Sequence, residues 1–350
     1  MHDQATWLKG SGKGRRDVRI LFTSAGRRIE LIQAFTRAAR SLGLKPHWHT
    51  ADVDPYIATG CLAEKVHLVP KAQAPGYIPA LRRIVRQERI DLIIPLIDSD
   101  LLKLADARDE FARLGCGALI SSPQVVRTCR DKRRMFEFLT RHDIDTPATW
   151  TADQILRSRT HRFPYFLKPR FGSASKKNYV VADRNDLKSL LRVVPDPLVQ
   201  EFVSGVEHTL DVYTGFDGRP RCVVPRERIE VRGGEVTKAR TVRHQRIIQT
   251  GVRVAEALTE CIGLITIQLI LTPKGRIRVI EVNPRFGGGV PLGIRAGADF
   301  PKWLLAEWLG RKPRIRLDQF DPNLLMLRYH QSFFMKATTY PKGWRRILRP

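Results

Sequence analysis

The strongest constraint on the fold lies in the first hundred residues, where short apolar runs alternate with segments of helical period. Residues 18–22 (VRILF) read as a strand, 29–42 as a helix stopped at Gly43, 46–51 as a second strand, 77–87 as a helix, and 92–95 (LIIP) as another strand. Strands joined through helices of this length are parallel neighbours, because an intervening helix carries the chain back to the edge it left. A doubly wound α/β sheet is expected, with ligands at the carboxyl ends of its strands. The loops placed there are Thr23-Ser24-Ala25-Gly26-Arg27-Arg28 and Asp52-Val53-Asp54-Pro55.

Around Ser121-Ser122-Pro123 the pattern changes, and a charged amphipathic helix spans about 131–142. Strands follow at 163–169, 179–182, 198–203, 208–216 and 221–232, then a helix over about 246–262 and a hairpin over 264–282. This second part is α+β and largely antiparallel. A helix at 301–309 stops at Gly310, and periodicity weakens beyond it. The expected divisions are a flexible leader (1–17), a first domain (18–122), a second domain (123–312) with a smaller subdomain to about 203 and a larger one from 204, and a basic extension (313–350). The glycines of Gly10-Ser11-Gly12-Lys13-Gly14 lack phosphate-loop spacing and are assigned to the leader.

The hairpin yields the sharpest deduction. If its loop is Pro273-Lys274-Gly275-Arg276, Thr272 pairs with Ile277 and Gln268 falls opposite Glu281, with Asn283 two residues on and on the same face. One carboxylate and two amide oxygens form a hard-ligand set suited to Mg²⁺ that shares phosphate oxygens. The alternative is an ordinary polar outer face of a hairpin. Lys168 ends an apolar strand and precedes Pro169-Arg170-Phe171-Gly172-Ser173-Ala174-Ser175-Lys176-Lys177, where small residues let backbone amides approach an anion. The strand Val199-Gln200-Glu201-Phe202-Val203 leads into a turn carrying Glu207, an arrangement that offers backbone groups to a purine and an acid to a ribose. Arg226, Arg228, Arg232 and Arg240 lie between these segments and are candidates for a carboxylate substrate, as are Arg27, Asp98 and His208 for the pocket lining; a solvated arginine-rich strand is the competing reading.

Charge and cysteines narrow the class. Lys and Arg number 61 against 35 Asp and Glu, a net charge of +26, which raises a nucleic-acid or polyanion partner as a second hypothesis. No zinc-finger spacing and no basic helix with interleaved aromatics accompanies it. The five cysteines are widely spaced, which indicates buried thiols rather than a disulfide framework or zinc site. No apolar run reaches the roughly 18 residues of a membrane span, and a soluble, cytoplasmic chain is expected.

In this order, Lys132, Lys168 with its Gly/Ser loop, Glu201 to Val203, Glu207, Gln268 and Glu281-Val282-Asn283-Pro284-Arg285 resemble the ATP-grasp superfamily, in the form of short, stand-alone relatives of the carbamoyl-phosphate synthase large subunit. The resemblance covers roughly 18–312, including "ILFTSAGRRIEL" and "LIIPLIDSD". It implies an N-terminal Rossmann-like pre-ATP-grasp domain followed by a two-subdomain ATP-grasp fold. It also implies an ADP-forming carboxylate–amine ligase that uses ATP and Mg²⁺, with Mn²⁺ as a substitute. Lys132, Lys168, Gly172, Ser173 and Ala174 would hold phosphates, while Glu201, Phe202 and Val203 would meet adenine. Glu207 would bind ribose; Gln268, Glu281 and Asn283 would take the metal; Arg285 and Lys168 would act on the transferring phosphoryl group. A small-molecule carboxylate and an amine or thiol would be the substrates, and phosphoryl transfer to a small acid without ligation is a further alternative. A homodimer is the expected assembly.

Overall fold

The computed structural model describes residues 8, 12–158, 160–172, 177–336 and 340. Its first layer is a parallel sheet of β1 (Asp17–Thr23), β2 (Lys45–Asp52), β3 (Lys65–Leu68), β4 (Leu92–Pro95) and β5 (Gly117–Ala118) in the order β3-β2-β1-β4-β5. Side chains of β1 alternate between two cores: Ile20 and Phe22 pack with the helix Ile29–Ser41, and Leu21 packs with the helix Tyr77–Glu88. Strand order reverses between β1 and β4, so the loops leaving these strands, which carry Arg28 and Asp98, flank the crevice of a doubly wound sheet. The short β3 and β5 carry too little apolar pattern to stand out in the sequence.

The second part holds two antiparallel systems. The smaller contains β6 (Thr149–Thr151), β7 (Tyr165–Pro169), β8 (Tyr179–Val181) and β9 (Pro197–Glu201) in the order β6-β9-β7-β8. The larger contains β10 (Val206–Thr214), β11 (Pro220–Arg232), β12 (Glu235–Thr241), β13 (Gly263–Leu271), β14 (Ile277–Asn283) and β15 (Leu325–Leu327) in the order β14-β13-β10-β11-β12-β15. One face of this sheet, with Leu210, Val212, Ile265, Ile267 and Leu269, is covered by the helix Gln245–Ala257. The helix presents Gly251 there because a Cβ would stand 2.8 Å from Leu210 and 2.9 Å from Val223. The other face carries the polar residues of the site.

Several expectations are corrected. The helix read as 246–262 stops at Ala257, where Leu258 leaves helical geometry (ψ 71°) and Glu260 then turns left-handed (φ 66°), even though the apolar run continues through the buried Cys261 and Ile262. Strand β12 is an addition to the expected elements, and Gly233-Gly234, both at positive φ, is the two-residue turn that makes it. The described part of the leader is docked: Leu8 is buried in the main core, and the Gly12 amide donates to the Trp308 carbonyl at 3.2 Å. Part of the extension is joined to the fold as well: β15 pairs with β12 and Phe320 is buried. Four of the five cysteines are buried, as expected.

Candidate functional site

The hairpin brings Gln268 opposite Glu281 and Thr266 opposite Asn283. The expected alignment is reached by two departures that cancel. The turn has three residues, closed by the Thr272 amide on the Arg276 carbonyl at 2.9 Å with Gly275 at φ 75°, so Leu271 rather than Thr272 pairs with Ile277. Ile280 then bulges from β14 and restores the partner of Gln268. Cross-strand neighbours share a face, so Gln268 and Glu281 stand in line with Thr209 and Arg226, and Glu207 lies one step along β10. Among the described residues the side-chain oxygens of Gln268, Glu281 and Asn283 have no hydrogen-bond or ion-pair partner, so this chemistry fits a divalent cation. No three acidic, His or Cys side chains among the described residues form a cage, so such an ion must complete its shell from phosphates and water.

Across from this face stand the lysines. Lys168, buried at the end of β7, donates to Gln200 Oε1 at 3.0 Å, and Gln200 in turn donates to Thr149 Oγ1 at 2.9 Å. Burial brings the Lys168 amine down to about 8; Glu281 opposes that shift and Lys132 adds to it. Lys132 opens the helix Lys132–Arg141, which is capped by Asp131, and donates to the Gly172 carbonyl at 3.1 Å. Asp131 also takes two bonds from Arg170, at 2.9 and 2.7 Å, which fix the entry to the small-residue loop. Lys132, Lys168, Gly172 and Glu281 therefore share one region; Ser173 and Ala174 lie outside the described residues.

Residues 202–205 link the two antiparallel sheets. Phe202 is exposed and Val203 half-buried. At Gly205 a Cβ would stand 2.4 Å from the Leu271 carbonyl, so a side chain cannot be accommodated. The Glu201 carboxylate is occupied by Arg278 at 2.6 and 3.2 Å, which leaves only its backbone for a ligand. Glu207 faces the cleft and pairs with Arg228 at 3.2 Å; burial, helped by Glu281, nevertheless pushes its carboxyl above the usual range.

Arg285 reaches back to the parallel domain, donating to both Asp98 oxygens at 2.7 Å. The four arginines offered for a carboxylate substrate are already engaged: Arg226 by Asp211, Arg228 by Glu207, Arg232 by Glu230 and Arg240 by Glu227. Strand pairing brings Asp211, Glu207 and Glu227 to their arginines, whereas Glu230 lies two residues before Arg232 on β11 itself. His208 is buried on the helix-covered face with Nδ1 near the Val206 carbonyl, away from the cleft. Arg27 is exposed beside Glu235. The Arg278 bridge and the separate environment of Arg28 have no local sequence signature.

Comparison with known proteins agrees with this fold. Residues 129–289 match an ATP-grasp domain and residues 20–119 match a PylC-like, N-terminal domain. Among solved structures, the L-amino acid ligase from Bacillus licheniformis is similar at 18% identity and TM-score 0.67, over 84% of this chain and 75% of that one. N5-carboxyaminoimidazole synthetase from Staphylococcus aureus, complexed with ADP, gives 15% and 0.68 over 86% and 80%. Biotin carboxylase from Campylobacter jejuni gives 16% and 0.68 over 85% and 73%. The parallel-sheet domain and the two antiparallel systems thus coincide with the two matched segments: the chain carries an ATP-grasp domain at 129–289 behind a PylC-like N-terminal domain at 20–119, in the fold of ATP-grasp ligases.

Proposed function

We propose that the chain is an ADP-forming ligase that activates a small-molecule carboxylate as an acyl phosphate for attack by an amine or thiol. The observation that carries this reading is the opposition of two groups across one cleft: a buried lysine without a carboxylate partner among the described residues, and a Gln268–Glu281–Asn283 face likewise unpaired among them. Each is costly to hold unpaired, and each is satisfied by a polyphosphate with its counterion. In this reading Lys132, Lys168 and the amides around Gly172, Ser173 and Ala174 bind phosphates. The backbone of Glu201, Phe202 and Val203 meets adenine, and Glu207 accepts from ribose. Gln268, Glu281 and Asn283 would hold Mg²⁺, with Mn²⁺ as a substitute, and the ion's chemistry is neutralisation of phosphate charge.

The carboxylate oxygen attacks the γ-phosphorus and ADP leaves; the nucleophile then attacks the acyl carbon and phosphate leaves. Lys168 and Arg285 neutralise the charge that passes between these groups. The structurally similar synthetase binds ADP and the similar biotin carboxylase binds an ATP analogue. We place the protein in the cytoplasm, as a homodimer acting on small molecules; among the described residues no helix is long and apolar enough to cross a membrane. The test is an ADP-release screen with MgATP against paired acids and amines. Release should require both partners and fall at least 100-fold in Glu281→Ala; full activity in that variant sinks the metal assignment.

A further inference from the structure

The arginines at the phosphate end of the cleft are not equivalent. Arg285 is held by Asp98, Arg226 by Asp211, and Arg328 by the Gly288 carbonyl and, at 3.4 Å, by Glu30. Arg28, among the described residues, has no hydrogen-bond or ion-pair partner for its guanidinium. The nearby carboxylates are already taken: Glu235 lies 3.4 Å from Arg27, and Asp98 is bound to Arg285. The unpaired guanidinium is packed, not free in solvent. A Cβ at Gly288 would stand 2.8 Å from Arg28 Nη1, so this glycine lets the guanidinium approach the backbone of the 287–289 loop. Burial first, then the charge of Arg285, brings Arg28 down to about 10. Holding a half-buried cation beside Arg285 and Arg328 without a counter-charge is unfavourable, and an anion in that place removes the penalty.

We propose that Arg28 recognises the acid substrate, its planar guanidinium taking a carboxylate in a two-bond fork beside the 287–289 glycine loop, in the crevice where the parallel sheet reverses strand order. The position suits this role, because the loop follows directly from Asn283 and Arg285 on the metal-facing strand. Fork geometry favours a planar carboxylate over a point-charge contact. That the anion is a substrate rests on the ligase reading; the existence of the anion site does not.

The first test is therefore independent of turnover. The full-length protein is treated briefly with phenylglyoxal, and labelled arginines are mapped by peptide mass spectrometry. Arg28 should be modified ahead of Arg226 and Arg285, and succinate or L-glutamate should slow its labelling severalfold. Equal reactivity of Arg28 and Arg226, or equal protection by sodium chloride, overturns the site; stronger protection by inorganic phosphate than by either carboxylate overturns its carboxylate character. The second test uses Arg28→Lys and Arg28→Gln in the ADP-release assay. Neither side chain can form the charged two-bond fork, so KM for the acid should rise about 10- to 100-fold while the Kd for ATP stays within about twofold. A parallel loss of ATP affinity would assign Arg28 to the nucleotide site instead. If no acid triggers ADP release, the ligase reading fails, and the labelling result still decides whether Arg28 is an anion site.

Discussion

Lys168 shows what a single buried charge implies. Its amine titrates near 8 in the fold and near 10.5, the ordinary value for lysine, in the unfolded chain, because burial disfavours the charged form. Between those values the unfolded chain binds more protons, so this group's contribution to stability rises with pH from about 8 to about 10.5 and is least favourable below 8. Lys168→Met should therefore melt higher than the parent at pH 7, with the gap narrowing towards pH 10 in thermal scans. Phosphate binding needs the protonated amine, so the parent's ATP affinity should fall as pH rises through 8. A flat profile from pH 7 to 9 would remove Lys168 from the phosphate site. The lysine and the trio proposed to hold the metal are legible in the sequence as residue types at strand ends and in hairpin register. Arg28 is legible only as half of an arginine pair, because what separates it from Arg27 is the absence of a partner among the described residues, and partners come from other segments.

At the level of elements, Arg278 couples two strands that belong to different sheets. From β14 it reaches Glu201 at the end of β9 and the Thr146 carbonyl, with Asp145 at 2.9 Å. The strand proposed to meet adenine is thus positioned by the strand proposed to hold the metal. Arg278→Ala should weaken ATP binding about tenfold, a charge-assisted bond's worth taken at its lower end because Glu201 is partly exposed, although neither residue's side chain need touch the nucleotide. Titration with a fluorescent ATP analogue would check this, and an unchanged Kd in a folded variant would refute the coupling. The hairpin itself is readable from its alternating Ile, Leu and Val and its Pro-Lys-Gly turn. Its bulge is not, since an extra residue in one strand leaves no mark on apolar periodicity.

For the molecule as a whole, the cores matter more than the divisions read along the chain. One apolar cluster runs from Val18, Phe22 and Trp48 of the parallel domain to Leu210, Ile267 and Trp308 of the larger antiparallel part. Phe35 and Phe286 meet across that junction with ring centroids 5.7 Å apart. The smaller sheet has a separate core of Ile155, Tyr165, Leu167, Val181, Leu187, Val194 and Val199. Amide exchange should therefore find the parallel and large antiparallel sheets opening together, and β7 to β9 opening at lower free energy. Equal protection of all three sheets would contradict this. A sequence that switches from parallel to antiparallel pattern near 123 suggests a boundary there, yet packing continues across it. The net charge of +26 also takes on a different meaning. Ion pairs such as those of Arg226, Arg228, Arg278 and Arg285 set one acid against one base and leave that excess unchanged; Lys132 and Lys168, which face the cleft, contribute to it and suit a polyphosphate as well as any larger polyanion.

The paired departures in the β13–β14 hairpin bear on which changes of chain length the site tolerates. Its turn is one residue shorter than the alignment of Gln268 with Glu281 would need, and Ile280 supplies the missing residue inside the strand. Deletion of Ile280 should be tolerated, because Val279 opposite Leu269 and Glu281 opposite Gln268 then become consecutive pairs of a regular ladder. A one-residue insertion between Glu281 and Asn283 has no such slack: strand alternation would turn one of the two to the opposite face, and metal affinity should fall in that variant.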